Sequence, residues 1–395
     1  MKAPNMCILC KGGRMLCGAS SCPLLKRVSV APKIKELASD SFFGPSPSVF
    51  VGRSGYPDIF AGPTGLMTSE SAADSPGQWF GMDYGKVIEL RSMVLRTKSR
   101  ENIFSKSRLI GEMQEIAMSS RPVDTEMVFL RKPSYRVRFS DVVQPMGPSA
   151  ELKSLSIAEN TPIDRAVERV VSDDLKAADA SFRLYEKQQD IYKIMTILSS
   201  GALGFKKKLV PTRWSITAVD DILTKRMLAD VRTFPNISDF QVFRSAYLDN
   251  HFQILLMPGA WEYEGFEAWA PGSFWSAQLK AAEIVEEYEP FAGRKAYADR
   301  QGGGYYAARL GVVEHLHAVR RQARVMVFRE IREGYVVPLG VWVVRETVRN
   351  AFKNPSKKFA TLAEALKHVD ANQRIPTREY IKQSAMLKQR KITEF

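Results

Sequence analysis

Cysteine is scarce in this chain: there are four, at positions 7, 10, 17 and 22, and none in the rest of its 395 residues. Four thiols crowded into one short segment cannot staple a body of this length, so a disulfide-framed secreted fold is excluded, and the usage fits a reducing compartment. Histidine is as rare, with His251, His315, His317 and His368. No His-Glu-x-x-His pair occurs, and His315 and His317, two apart, would diverge on a helix. There is no Gly-x-Ser-x-Gly elbow and no Walker loop, which removes two common hydrolase layouts. No run of about 18 apolar residues is present to cross a membrane as a helix. The opening MKAPNMCILCKGG has no apolar core ahead of a small-residue cleavage site, so the expectation is a cytoplasmic protein without a signal peptide.

Acid is missing from one place in particular. Residues 1–35 hold Lys2, Lys11, Arg14, Lys26, Arg27, Lys33 and Lys35 and no Asp or Glu. Residues 371–395 are also basic, with six cations against Glu379 and Glu394. These two ends supply most of the net charge of +14, and the sequence between is nearly balanced. A basic excess of this kind implies an anionic partner such as nucleic acid, or else two solvated tails.

Hydrophobic residues make up 45% and charged residues 25%, enough apolar material for a sizeable core. The pattern divides into a cysteine head (1–38), an N-terminal part of the body (39–150), a C-terminal part (151–370) and a flexible basic tail (371–395). Strands are predicted at 48–53, 127–133 and 135–139, two more within 240–257, and two at 324–331 and 338–344 joined as a hairpin. Helices are predicted over 86–119 in two pieces broken around 97–102, and over 160–200 as two helices started by Thr161-Pro162. Further helices are predicted at 273–289, 304–320, 346–354 and 361–370. Strands and helices do not alternate regularly, so the predicted class is α+β, a mixed body with a small zinc module and a flexible tail.

The head spaces Cys7, Cys10, Cys17 and Cys22 over 16 residues, with Gly12, Gly13 and Gly18 permitting tight turns. Four thiolates so placed suit a closed, structural Zn2+ site; an iron–sulfur cluster is the alternative. At the other end, Gln389-x-x-Ile392-x-x-Phe395 resembles the PIP box that docks proteins on the sliding clamp PCNA. A 3₁₀ turn would bring Ile392 and Phe395 into one apolar plug, with the Gln389 amide left to hydrogen-bond. The box usually carries two consecutive aromatics, and here there is one, which should weaken the docking.

With this head and tail go PSVFVGRSGYPDIFAGP (47–63), LVPTRWSITAVDD (209–221), HFQILLMPGAW (251–261), GGGYYAARLGVVEHL (302–316) and PLGVWVVRETVRNA (338–351). In this order, over nearly the whole chain, they resemble the archaeal Nre family. The resemblance implies a role in DNA repair linked to PCNA, with DNA as a partner, and carries no catalytic mechanism.

Within the body, Arg213 and Trp214 are candidates for phosphate binding and base stacking. Asp220 and Asp221 are candidates for a divalent metal, Mg2+ or Mn2+, although Thr217-x-x-Asp220 also has the spacing of a capping box opening a helix through Leu228. Gln301–Gly304 leads into a helix bearing Arg309, a phosphate cradle or a plain turn. Arg345 and Glu346 are a further candidate pair, or an ion pair. Trp261–Trp275 is rich in aromatics but also in glutamate, which favours core packing over a base platform. Three functions fit: a clamp-recruited factor that binds DNA or a repair intermediate; a repair enzyme, a nuclease or other modifying activity, using Arg213, Asp220, Asp221 and Arg309; and an RNA-associated zinc protein, which the tail disfavours.

Overall fold

The computed structural model describes residues 29–135, 146–271, 282–335 and 337–388, together with Cys10, residues 14–16, Cys22 and Leu25. Cys7, Cys17, Gln389, Ile392 and Phe395 lie outside the described residues, as do most of the strand predicted at 135–139 and positions 273–281 of a predicted helix. The described residues from Leu25 to Leu223 form one compact unit. Those from Thr224 to Lys388 form a second, with which Cys10, 14–16 and Cys22 are grouped.

In the first unit the chain enters through helix α1 (Ala31–Leu37) and strands β1 (Ser41–Ser46), β2 (Val49–Val51) and β3 (Asp58–Leu66). It continues through α2 (Tyr84–Ser92), β4 (Val94–Asn102), α3 (Arg108–Met118), β5 (Val123–Phe129) and β6 (Ser149–Ile157). The six strands form one mixed sheet in the order β1-β5-β6-β4-β3-β2, with β4 and β6 its parallel pair. The reason is plainest in β5, where Val123, Thr125, Met127 and Phe129 are buried and alternate with Asp124 and Glu126. Helix α3 covers the same core with Ile110, Met113 and Ile116, at helical spacing.

Three further helices, α4 (Arg165–Ser172), α5 (Ala177–Glu186) and α6 (Ile191–Ser199), replace the two predicted over 160–200. The start signal is Asp164, whose carboxylate accepts from the Ala166 N–H at 2.6 Å, not Thr161-Pro162. Asp190 caps α6 in the same way. The break predicted around 97–102 is also corrected. It is strand β4, because Val94, Leu95 and Thr97 are buried between two neighbouring strands, a cause that one-dimensional periodicity does not display.

Helix α7 (Thr212–Val231) carries the chain on to β7 (Phe240–Tyr247), β8 (Asn250–Met257), β9 (Glu262–Trp269) and β10 (Glu283–Glu289). Then follow α8 (Gly303–Val319), β11 (Arg324–Ile331), α9 (Trp342–Ala351), β12 (Lys357–Phe359), α10 (Leu362–Asp370), α11 (Thr377–Ile381) and α12 (Ala385–Lys388). These strands form a second mixed sheet, β10-β9-β11-β8-β7-β12, with β9 and β11 parallel. Phe266 and Phe328 stack at 5.4 Å in its core.

Three expectations change here. The part of 273–289 that is described is strand β10, paired along its length with β9. The strand predicted at 338–344 is a loop leading into α9, so there is no hairpin with β11. The apolar residues Trp342, Val343 and Val344 are buried in the first turn of a helix, and a short buried helix and a buried strand look alike in sequence. The tail predicted from Ala371 is ordered as far as Lys388. Ile375, Tyr380 and Met386 are sparse, but each is buried, and Tyr380 meets Phe266 and Phe328 edge-on at 5.5 and 5.3 Å. Buried Glu264 accepts from Ser384 Oγ (2.5 Å) and from the backbone N–H groups of Ala385 and Met386, which satisfies the start of α12.

Candidate nucleic-acid interface

Two of the sequence stretches singled out above meet in the first unit. The turn between β2 and β3 closes through the Asp58 N–H on the Gly55 carbonyl at 2.9 Å, and Gly55 has the positive φ of +80° that the turn requires. The Ile103 N–H donates to the Pro57 carbonyl at 3.1 Å and pins the turn to the end of β4. The segment before α7 is fixed by Leu209, fully buried, whose N–H donates to the Ile103 carbonyl at 2.9 Å. Pro211 supplies the carbonyl that starts the helix, accepting from Trp214 and Ser215. The Val51 N–H donates to Thr212 Oγ1 at 2.9 Å, tying the first residue of α7 to β2.

These anchors leave Arg213 and Trp214 on the outside of the first helical turn. Trp214 is 43% exposed, and its ring lies 5.1 Å from that of Tyr56, inclined at 54°. Among the described residues no hydrogen bond or ion pair engages the Arg213 guanidinium. Lys208 Nζ lies over two exposed rings at once, 5.3 Å from Tyr56 and 5.6 Å from Phe104. Of its neighbours, Lys206 is exposed. Lys207 instead turns inward to the carbonyls of Val171 and Ala202, both at 2.8 Å, and burial lowers its pKa.

The surface continues along the sheet. Phe60 pairs with Arg100 across β3 and β4, so the two share the outward face, and Lys98 Nζ lies 5.8 Å over the Phe60 ring. On β2, Phe50 sits beneath Arg96 at 5.4 Å. Asp58, an acid in this neighbourhood, accepts a hydrogen bond from Asn102 at 2.9 Å. The chemistry on offer is a set of exposed rings, Tyr56, Phe60, Phe104 and Trp214, with lysines lying over the first three.

The other sequence candidates are placed differently. Helix α7 starts at Thr212, so Thr217 and Asp220 are interior residues of it and not its cap. Asp220 is fully buried and Asp221 half-buried, and adjacent residues on a helix point about 100° apart. Arg309 is not available to a phosphate. It is buried against Glu289, at 2.8 Å, in a cluster where Glu289 also accepts from Tyr305 OH (2.7 Å) and Trp261 Nε1 (3.2 Å). Gly302, with φ +55°, precedes α8 as a turn, and the Gln301 amide is spent on the carbonyls of Gly265 and Val285. Arg345 is fully buried in α9, while Glu346 pairs with Arg349 at 3.0 Å. Among the described residues no three His, Cys, Asp or Glu side chains are grouped to hold a metal. Cys10 is buried and Cys22 half-buried. Trp261 and Phe266 are core residues, as the glutamates around them indicate. Sequence reasoning missed Tyr56, Phe104 and Lys208. Their only signal was the company of aromatic and basic residues in segments far apart in the chain.

An α+β protein with two six-stranded mixed sheets, one of them bearing an aromatic and cationic outer surface, is the class that these features define. The chain matches the family models described as Archaeal Nre, N-terminal, over residues 16–276, and Archaeal Nre, C-terminal, over residues 289–395; it belongs to the Nre family. It is 37% identical to DNA repair protein NreB of Archaeoglobus fulgidus, over 98% of this chain and 99% of that one. It is 40% identical to DNA repair protein NreA of the same organism, over 95% of each. It is 36% identical to DNA repair protein NreA of Haloferax volcanii, over 84% of this chain and 82% of that one. No solved structure matches. No helix among the described residues is long and apolar enough to cross a membrane.

Proposed function

We propose that this chain is a cytoplasmic, nucleoid-associated DNA repair factor that contacts DNA through the surface around Tyr56, Trp214 and Lys208 and is recruited to the sliding clamp PCNA by Gln389, Ile392 and Phe395. The observation that carries the DNA contact is the meeting of the Tyr56 and Trp214 rings beside Lys208 and Arg213. Exposed π faces and cations together are what a nucleic-acid strand requires, bases on the rings and phosphates on the charges. The names of the relatives support the repair role. Cys7, Cys10, Cys17 and Cys22 form a donor set that suits a structural Zn2+, whose chemistry there is to fold the head. The enzyme reading draws no support from Arg309, which is held by Glu289, or from Asp220, which is buried.

The test is a panel of labelled single-stranded, duplex, forked and cross-linked DNA, incubated with the full chain with and without Mg2+ or Mn2+ and resolved on native and denaturing gels. Shifted but chemically unchanged DNA is expected. A new product would overturn the binding-factor reading in favour of an enzyme. In parallel, the double variant Gln389→Ala, Phe395→Ala should lose capture by immobilised PCNA and keep its fold; undiminished capture would refute the clamp assignment.

A further inference from the structure

The geometry points to a specific ligand for this surface: we propose that it takes the unpaired bases of single-stranded DNA, with Tyr56 and Trp214 as a stacking platform and Lys208 bridging to a second stacking position on Phe104. This rests on the reading of the chain as a DNA-binding factor.

In a duplex the π faces of the bases are covered by their neighbours, and readers of intact duplex work from the groove edges with polar side chains. A flat exposed ring gains from a base only when that base is unstacked. Here Tyr56 and Trp214 are 39% and 43% exposed, and Phe60 and Phe104 are 37% and 56% exposed, all within one unit. Their supports are rigid. Trp214 rides the first turn of a 20-residue helix, Phe60 is in a paired strand, and Tyr56 and Phe104 flank the Pro57–Ile103 backbone bond. The rings are therefore presented without an ordering cost at the moment of binding.

Spacing decides how a base can sit. Successive bases in a stack are separated by about 3.4 Å, so a base held between two rings needs them parallel and about twice that distance apart. Tyr56 and Trp214 are 5.1 Å apart and inclined at 54°, too close and too tilted for a sandwich. They form an open, bent platform that accepts a base on an outer face. Lys208 Nζ lies within cation–π range of both Tyr56 and Phe104, so the single ammonium is placed to meet the phosphate joining nucleotides stacked on the two rings. Lys98 Nζ lies over the Phe60 ring, and Arg100 is its cross-strand neighbour. The alternation of ring and cation also argues against a protein occupant, since lysine is depleted from the cores of protein interfaces.

The experiment compares three fluorescently labelled ligands of equal length: a dT strand, the same strand with abasic residues in its central half, and a duplex. Binding to the full chain is followed by anisotropy at moderate salt. The wild type is expected to bind the dT strand about ten-fold or more tightly than the abasic strand or the duplex. Trp214→Ala and Tyr56→Ala should each erase most of that advantage while leaving affinity for the abasic strand unchanged; Trp214→Phe should retain it. Lys208→Ala should weaken all three ligands by a similar factor. Thermal melts establish that the variants fold, as expected for side chains this exposed. Equal affinity for intact and abasic strands, or a Trp214→Ala loss shared equally by both, would overturn stacking while DNA binding stands. Preference for the duplex would overturn the proposal in favour of rings wedged into a bent groove. Failure to bind any of the three would remove the DNA reading itself, and this inference with it.

Discussion

The backbone N–H of Val51 donates to the side-chain hydroxyl of Thr212 at 2.9 Å, across 161 residues of sequence. The same hydroxyl is 3.1 Å from Ser199 Oγ. One small side chain thus fixes the first turn of α7 against both β2 and the end of α6, and with it the direction in which Arg213 and Trp214 leave the helix. Thr212→Ala should cost about 1 kcal/mol, the worth of a partly buried hydrogen bond whose donor is left behind. Thr212→Ser should recover most of it. Paired thermal melts would check this; equal loss in both variants would mean that the methyl group, not the hydroxyl, holds the junction.

Arg213 is exposed and unengaged within its unit, so its contribution to DNA binding should be purely ionic. The logarithm of affinity for single-stranded DNA should fall linearly with the logarithm of salt concentration, and Arg213→Ala should flatten that slope by about 0.7, one released counterion. Titrations across a salt series would read it. An unchanged slope would place Arg213 outside the footprint.

Two half-buried titratable groups tilt the pH profile in opposite senses. Glu286 hydrogen-bonds to Glu264, and burial, then the charge of Glu264, pushes its carboxyl from 4.5 up to about 7. A raised carboxyl favours the folded state in acid, and this contribution is lost as pH rises from about 4.5 to about 7. His315 lies flat on Phe352 at 4.1 Å and beside Phe243, and burial pushes its pKa from 6.5 down to about 4. A histidine held neutral loses stability as pH falls from 6.5 towards 4. Glu286→Gln should therefore gain on the wild type between pH 5 and pH 8, and His315→Phe should gain on it between pH 7 and pH 4.5. Melting temperatures over that range decide both; differences that do not vary with pH would refute them.

Replacing Cys7 and Cys10 with Ser should release bound Zn2+ and destabilise the head. Elemental analysis beside a proteolysis time course would show it. A purified wild type that folds fully with no metal, or carries iron and sulfide instead, would sink the zinc assignment.

Where the chain wrote its structure locally, its sequence was readable. Strand β11 runs over Arg324–Ile331, the span its apolar run predicts, and α10 follows its N-cap Thr361, whose capping box Glu364 completes. Strand β4 was hidden because its burial comes from partners on both sides, and α9 because Val341–Val344 is apolar enough for either helix or strand. The surface was half legible. Arg213 and Trp214 stood out as polar and aromatic residues in an apolar frame. Tyr56, Phe104 and Lys208 did not, since the bonds from Ile103 to Pro57 and from Leu209 to Ile103 bring together segments far apart in the chain. Arg309 and Arg345 were misleading for the converse reason. An arginine in sequence does not announce that it will be buried, as both are, or that a glutamate will hold it, as Glu289 holds Arg309.

Each six-stranded sheet ends on one side in a strand of three residues, β2 in the first and β12 in the second. A sheet margin is where stray chains add themselves, and short margins give them little to grip. On β12 the deterrent is charge, with Lys357 and Lys358 both exposed. On β2 it is occupancy: the Val51 N–H that would greet an incoming strand is already given to Thr212. The hydroxyl that ties α7 to β2 therefore also leaves that N–H unavailable to an added strand. A variant lacking it should betray itself in the concentration at which the protein stays clear, before any change in how it holds DNA.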